Sequence, residues 1–291
     1  MAAKKKLRSK KAAERGTNAA IYVVLVVISI IWLFPFFYLV LQSLRGEQGL
    51  ATMYFWPKQW TFDNYIKLFT DTSIFNFPKW YGITLVISVV VTVVQTAIVL
   101  VTSYALSRLR FKMRKPLMNL MLVLGMFPGF MSMTAIYFLL KLVGLTQTFG
   151  LVGLVLVYVG SSCMGYYICK GFFDTIPKSL DEAARIDGAS RHTVFIKVVL
   201  PLSKPIIIYT VLTSFLAPWG EYMFASLMAF GDQDYYNVAV GLKEMLNRET
   251  ASEYFTRFCA ASVIVSVPIT VLFFWLQRYY VEGVTGGSVK G

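Results

Sequence analysis

Asp181-Glu182-Ala183-Ala184-Arg185-Ile186-Asp187-Gly188-Ala189-Ser190, closed by Leu200-Pro201, is a polar, helix-prone interruption between two long apolar runs. Ser179-Leu180-Asp181-Glu182 fits a capping box, in which a serine hydroxyl and a glutamate carboxylate each satisfy a free backbone amide. Asp181 and Glu182 would also sit at the positive end of the helix dipole. Gly188 fits the position just past a helix, where a positive φ is cheap only for glycine. The pattern predicts a short helix over about 180–187 and a second from Ser190 that ends before Pro201. Ala183, Ala184 and Asp187 fall on one face by their spacing, flanked by Arg185 and Arg191. Two alanines make that face thin enough to enter a groove on a partner protein. His192, the only histidine, reads as structural.

The surroundings of this segment are those of a membrane protein. Hydrophobic residues make up 57% of the 291 and charged residues only 15%. A soluble domain carries about 25% charged residues. The mean hydropathy is +0.61. The net charge of +13 does not signal nucleic acid, because the cations cluster at the ends of apolar runs and no recognition motif accompanies them. Cys163, Cys169 and Cys259 lie in apolar segments without metal-ligand spacing and read as small buried hydrophobes. The first apolar run is too long for a cleaved signal peptide and reads as a retained span.

About 20 apolar residues cross a bilayer as a helix. Runs of that length predict spans at 20–44, 80–107, 116–140, 142–169, 205–230 and 257–278, and hence an all-α, six-span protein. Lysine and arginine then orient it. The N-tail 1–19, the loop 108–115, the loop 170–204 and the C-tail 279–291 hold roughly 20 basic residues, and the opposite side, with loops 45–79 and 231–256, roughly 8. The basic side is expected to be cytoplasmic, with both termini inside and the segment 181–190 facing the cytoplasm. In loop 45–79, Thr61 or Asp63 would cap a short helix through Phe69, which also reads as an interfacial aromatic belt. Gly125-Met126-Phe127-Pro128-Gly129 combines small residues suited to close helix packing with a proline break.

Glu-Ala-Ala, a glycine four residues on and a later Leu-Pro resemble the EAA loop of permease subunits of bacterial ABC importers. The resemblance extends over nearly the whole chain after about residue 18, and the Pro57-to-Tyr65 pattern and glycine-rich tail point to the carbohydrate, maltose-type branch. It implies a type I importer permease fold with a cytoplasmic EAA coupling loop, in which Glu182, Ala183, Ala184, Arg185, Asp187 and Gly188 couple to an ATPase. The implied partners are a pair of ABC ATPase subunits, a second, non-identical permease and an extracytoplasmic solute-binding protein, all at the bacterial cell membrane. No cofactor is expected on this chain; ATP and Mg would sit on the ATPase partners. The tail, through Gly286, Gly287 and Lys290, would reach toward those ATPases or else be a free terminus.

Glu221 is a carboxylate deep in an apolar run, where it must face the interior and find a partner. Its neighbourhood, Trp219-Gly220-Glu221-Tyr222, resembles a Trp-Asn-Glu-Phe region of carbohydrate permeases, with Gly220 and Tyr222 departing from that pattern. Trp219, Glu221 and Tyr222 are therefore candidates for the solute pathway, against an alternative of an interhelical structural hydrogen bond. The chain has no G-x-x-x-x-G-K-[ST] phosphate loop and is not expected to hydrolyse ATP itself. An ion-coupled secondary transporter would call for inverted repeats and several buried carboxylates, and a membrane enzyme for a catalytic set; neither pattern is present. The expected function is a subunit that forms half of an alternating-access path for a sugar such as a maltodextrin.

Overall fold

The computed structural model describes the backbone of residues 2–50, 54–146, 150–247 and 249–286, with side chains from residue 17 to 277 within that set. In chain order its helices are α1 (Ala2–Ser43), α2 (Asp63–Thr70), α3 (Phe77–Arg108), α4 (Arg114–Met126), α5 (Gly129–Leu142), α6 (Gly150–Gly160), α7 (Cys163–Thr175), α8 (Lys178–Ile186), α9 (Arg191–Val194), α10 (Leu200–Leu202), α11 (Lys204–Gly220), α12 (Met223–Ala229), α13 (Val238–Met245) and α14 (Ala251–Gly286). No β-strand occurs among the described residues, as lipid requires of a chain that does not close a barrel. Helices long and apolar enough to cross a bilayer unaided run over Thr17–Ser43, Phe77–Arg108, Gly150–Thr175 and Ala251–Gln277.

The remaining apolar runs are broken. α4 and α5 meet at 102°, where Phe127 and Pro128 are both extended. Proline disfavours a helical residue before it and removes a helix donor, so the run expected as one span over 116–140 kinks there. Gly125 lets α4 lie close to α7: a Cβ built on it would come within 3.3 Å of the Met164 nitrogen. The expected span boundary at 142 also moves. Leu142 closes α5, Gly144 takes φ +74, and the next helix begins at Gly150. The run 205–230 is divided at Glu221 and Tyr222. α1 and α14 extend beyond the expected spans into both tails. Residues 2–15 are mostly strong helix formers, and nothing in 278–282 breaks a helix.

α3 is the central strut. It packs most extensively on α11 and α7, while α1 packs chiefly on α14. The larger core joins Trp80, Ile87, Val91, Leu154, Phe224, Met228, Val238 and Tyr254. Trp80 is fully buried and donates its Nε1–H to the Gln233 carbonyl at 3.0 Å. The Thr84 hydroxyl accepts from the Val238 amide at 2.8 Å. Opposite lies Gly241, where a Cβ would fall inside the Trp80 ring. At the same end Asn64 is buried. Its amide donates to the carbonyls of Ser43 and Arg45, and its Oδ1 accepts from Thr256, tying α1, α2 and α14 together. The expected cap of α2 is replaced: Phe62 is the N-cap, and the Thr61 hydroxyl accepts instead from the Asp63 amide at 3.0 Å. The Arg257 guanidinium, 2.8 Å away, and the Ser73 hydroxyl hold the Asp71 carboxyl below its usual range.

Gly241→Val is expected to lower thermal stability by overpacking against Trp80, by about 1–3 kcal/mol. Gly82→Ala, where a Cβ meets no atom within 4 Å, serves as the control. Thermal unfolding of the two variants in detergent reads the difference.

Candidate functional site: the polar loop beneath α3

α8 to α10 form a compact polar loop held against one end of the bundle. α8 starts at Lys178, after Pro177 at φ −56 and ψ 128, and makes no side-chain cap bond. The expected capping box therefore does not form. The helix begins earlier than the box requires, which places Ser179 inside the first turn rather than at the N-cap. The far end matches expectation. Gly188 takes φ +85, its amide donates to Arg185 O at 3.1 Å, and the Ala189 amide donates to Ala184 O at 2.9 Å. These two bonds make a Schellman turn, which satisfies carbonyls that the helix end would leave free.

Ser190 then caps the next helix, its Oγ accepting from the Thr193 amide at 3.1 Å. The helical path runs through a π-turn at Phe195–Val199 into α10, so it passes Pro201 instead of ending before it. The π-turn resets the register, and Pro201 falls in the first turn of α10, where its missing N–H costs little. At Ser203 the path bends by 83° into α11. Ser203 is fully buried, and its Oγ donates to Val199 O at 2.7 Å.

The loop is anchored by charge and by rings. Arg108, at the end of α3, meets Asp181 of α8 at 2.7 Å, with the two side chains only 5% and 14% exposed. Arg108 Nη2 also donates to Ile176 O at 3.0 Å. Removing one partner of so buried a pair costs about 3–5 kcal/mol. Beside it, the Ser107 hydroxyl donates to Asp174 at 2.6 Å, and Lys170 pairs with the same carboxylate. The Tyr104 hydroxyl donates to Arg191 O at 3.2 Å, and the Tyr104 and Phe195 rings lie 4.6 Å apart. Val99, Phe173, Ile176, Val194, Val199 and Ile206 form the second apolar core, against which Ala184 and Ala189 pack.

This anchoring separates the expected face. Ala184 turns inward with Asp181, while Glu182, Ala183, Arg185, Ile186 and Asp187 are exposed. Ile186 is 86% exposed, the most prominent apolar side chain on α8. Reading the alanines as one face hid it. The i, i+3, i+4, i+7 series Ser179, Glu182, Ala183 and Ile186 gives the outward stripe. Arg108 was also missed as an anchor, since it read as one of several positive charges that orient the chain.

The candidate pathway residues lie on the broken run. Trp219 is buried and packs between Tyr81, edge-on with ring centroids 5.5 Å apart, and Phe215, tilted at 5.8 Å. Tyr222 is exposed, so the two rings do not form one platform. Glu221 accepts from the amides of Phe224 at 2.8 Å and Ala225 at 2.7 Å, capping the start of α12. Asn237 Nδ2 donates to Glu221 O. Gly286 is described only as the last residue of α14; Gly287 and Lys290 lie outside the described residues. Among the described residues no group of three or more metal-ligating side chains is present.

Residues 97–286 match the family described as binding-protein-dependent transport system inner membrane component. The chain is similar to the maltodextrin transport system permease protein MdxG of Bacillus subtilis, with 34% identity covering 93% of this chain and 95% of that one. It is similar to the galactooligosaccharides transport system permease protein GanQ of the same organism, with 34% identity covering 93% and 94%. The maltodextrin permease MalD of Streptococcus pneumoniae is 33% identical, covering 97% and 98%. In fold it is similar to a chain of a bacterial ABC transporter that imports the acidic polysaccharide alginate. That TM-score is 0.76 at 22% identity, covering 92% of this chain and 98% of that one. The chain belongs to the inner membrane components of binding-protein-dependent transport systems, the permease subunits of ABC importers, in which ATP hydrolysis is the work of a separate subunit.

Proposed function

We propose that this permease forms half of an alternating-access path for an oligosaccharide of the maltodextrin type, and that α8 is its coupling helix. The chain crosses the membrane six times, with α4–α5 and α11–α12 as broken spans, and both termini and the α8–α10 loop lie on the cytoplasmic side. A pair of ATPase subunits, carrying ATP and Mg, docks on α8. A second, non-identical permease completes the path, and a solute-binding protein delivers the sugar from outside. Similarity to maltodextrin and galactooligosaccharide permeases supports the substrate class.

One observation carries the coupling assignment: α8 exposes Glu182, Ala183 and Ile186 while its opposite side is fixed to the bundle through Asp181 and Ala184. A helix free on one side and fixed on the other transmits displacement. Force on the outward stripe passes through the Arg108–Asp181 pair to α3, and through the backbone and Ser203 to α11. Because α3 and α11 pack on each other, the two are driven as one body, which suits a two-state rigid-body switch. The ion-coupled alternative is set aside by membership in a binding-protein-dependent family. Both Glu221 carboxylate oxygens are occupied by backbone donors, which supports the structural reading of that residue over direct solute contact. The tail through Gly286, Gly287 and Lys290 is assigned to the ATPase side on the family resemblance alone.

Three outcomes follow from this reading. Gly188→Pro removes the positive φ that the Schellman turn requires, since proline is held near φ −65°. The complex is expected to assemble in the membrane and lose most ATP-driven uptake; uptake at the wild-type rate contradicts the coupling role. Ile186→Asp is expected to lower the amount of ATPase subunit recovered with the permease by about tenfold, loss of one buried isoleucine contact being worth about 1.5–3 kcal/mol. Quantitative immunoblotting of the purified complex measures it. Glu221→Ala leaves two amides without their acceptor, at about 1–3 kcal/mol each. Its thermal midpoint is expected to fall together with transport; loss of transport at unchanged thermal stability points to solute contact instead.

A further inference from the structure

Where α3 ends and α8 begins lies an open cavity of about 520 Å³. Its lining includes Arg108, Arg110, Arg114, Lys178, Arg185 and Arg191, against the carboxylates of Asp181 and Glu182. Asp181 is already engaged by Arg108. The cations therefore outnumber the acids, and the only other polar groups among the lining side chains are the hydroxyls of Tyr104 and Ser107. Both hydroxyls are used internally. Arg108 makes the site more than a basic surface. Its side chain is only 5% exposed and its Nε pairs with Asp181, so it forms the fixed floor of the cavity, while Arg110, Arg114, Lys178, Arg185 and Arg191 line the cavity around it. With Arg108 and Asp181 paired to each other, five cations line the cavity against the single carboxylate of Glu182, an excess that favours an anion with several oxygens.

We infer that this cavity binds a phosphate group. The headgroup of an anionic lipid and a soluble phosphate share that chemistry. The position favours the first. The cavity sits at the end of a long apolar helix, where the chain changes from lipid-compatible to charged, and exposed Phe111 and Met113 stand beside the cations. Basic pockets at this level of a membrane protein suit acidic lipid headgroups. A phosphate here would bridge the α3–α4 corner, through Arg110 and Arg114, to the loop helices, through Lys178 and Arg191. Its binding would thus strengthen the joint between bundle and loop. The inference rests on α8 to α10 being the coupling loop only for this last consequence, not for the binding itself.

The test uses the purified transporter complex, with phosphatidylglycerol and phosphatidylcholine as lipid probes and inorganic pyrophosphate as the soluble one. Arg110 and Arg114 are substituted because neither belongs to the α8 docking stripe. Native mass spectrometry is expected to show retention of phosphatidylglycerol over phosphatidylcholine by the wild type. Arg110→Gln with Arg114→Gln is expected to weaken that retention roughly 25-fold, and the paired lysine substitutions to preserve it. Pyrophosphate binding to the wild type, lost in the glutamine variant, without phosphatidylglycerol selectivity, supports the phosphate site and assigns it to a soluble ligand. Equal behaviour of wild type and glutamine variant toward both probes, at equal thermal stability and equal ATPase-subunit content, overturns the proposal. The uptake assay with Gly188→Pro is independent of this outcome, so the two readings fail separately.

Discussion

The Arg108–Asp181 pair, closed at 2.7 Å and largely withdrawn from water, is the constraint on which the working geometry depends. A polar loop between two apolar helices would otherwise have little reason to hold one orientation. Pairing of a buried arginine with a buried aspartate allows few alternatives, because either charge left alone at that depth is costly. The smaller contacts around it, from Tyr104 to Arg191 and from Ser107 to Asp174, extend the same constraint to α9 and α7. Ala184 packs against the second apolar core. The two alanines of α8 thus part: Ala184 packs inward, and Ala183 lies on the outward stripe.

The breaks in the apolar runs follow the same economy of backbone hydrogen bonding. Within a membrane each interruption must have its amides and carbonyls satisfied locally. At Glu221 the carboxylate supplies the acceptors for the start of α12, and Asn237 supplies donors to the carbonyls of Pro218 and Glu221. A charged residue in an apolar run thereby becomes part of a helix terminus. At the same end of the bundle, Gly241 yields its side-chain volume to Trp80, and the two core clusters are joined by α3 running the length of both. The loop is thereby joined to both cores through one continuous helix.

Much of this was legible in the residues. Long charge-free runs mark the apolar helices because the bilayer sets their length, and Gly188 announces its turn because no other residue takes φ +85 cheaply. The polar spacing from Glu182 to Pro201 led to the family, which the comparisons show. Other features were not legible, since they depend on partners distant in sequence. Arg108 and Asp181 are separated by the whole of α4 to α7, and nothing local distinguishes Arg108 from Arg110. The capping box at Ser179 was a sound local pattern overridden by Pro177, whose extended backbone starts the helix earlier. The division of Ala183 from Ala184 needed knowledge of which side of α8 meets the core, and helical spacing alone leaves that rotation open. Trp219 and Tyr222, close in sequence, diverge because the helix breaks between them.

The central claim is that the loop drives the bundle through its buried anchor, and the most direct test is the stoichiometry of transport. Asp181→Asn keeps the size of the side chain and removes its charge. In the reconstituted complex, the number of solute molecules moved per ATP hydrolysed should fall several-fold in this variant, with ATP hydrolysis and ATPase-subunit binding retained. An unchanged ratio, with normal binding and hydrolysis, would contradict the account.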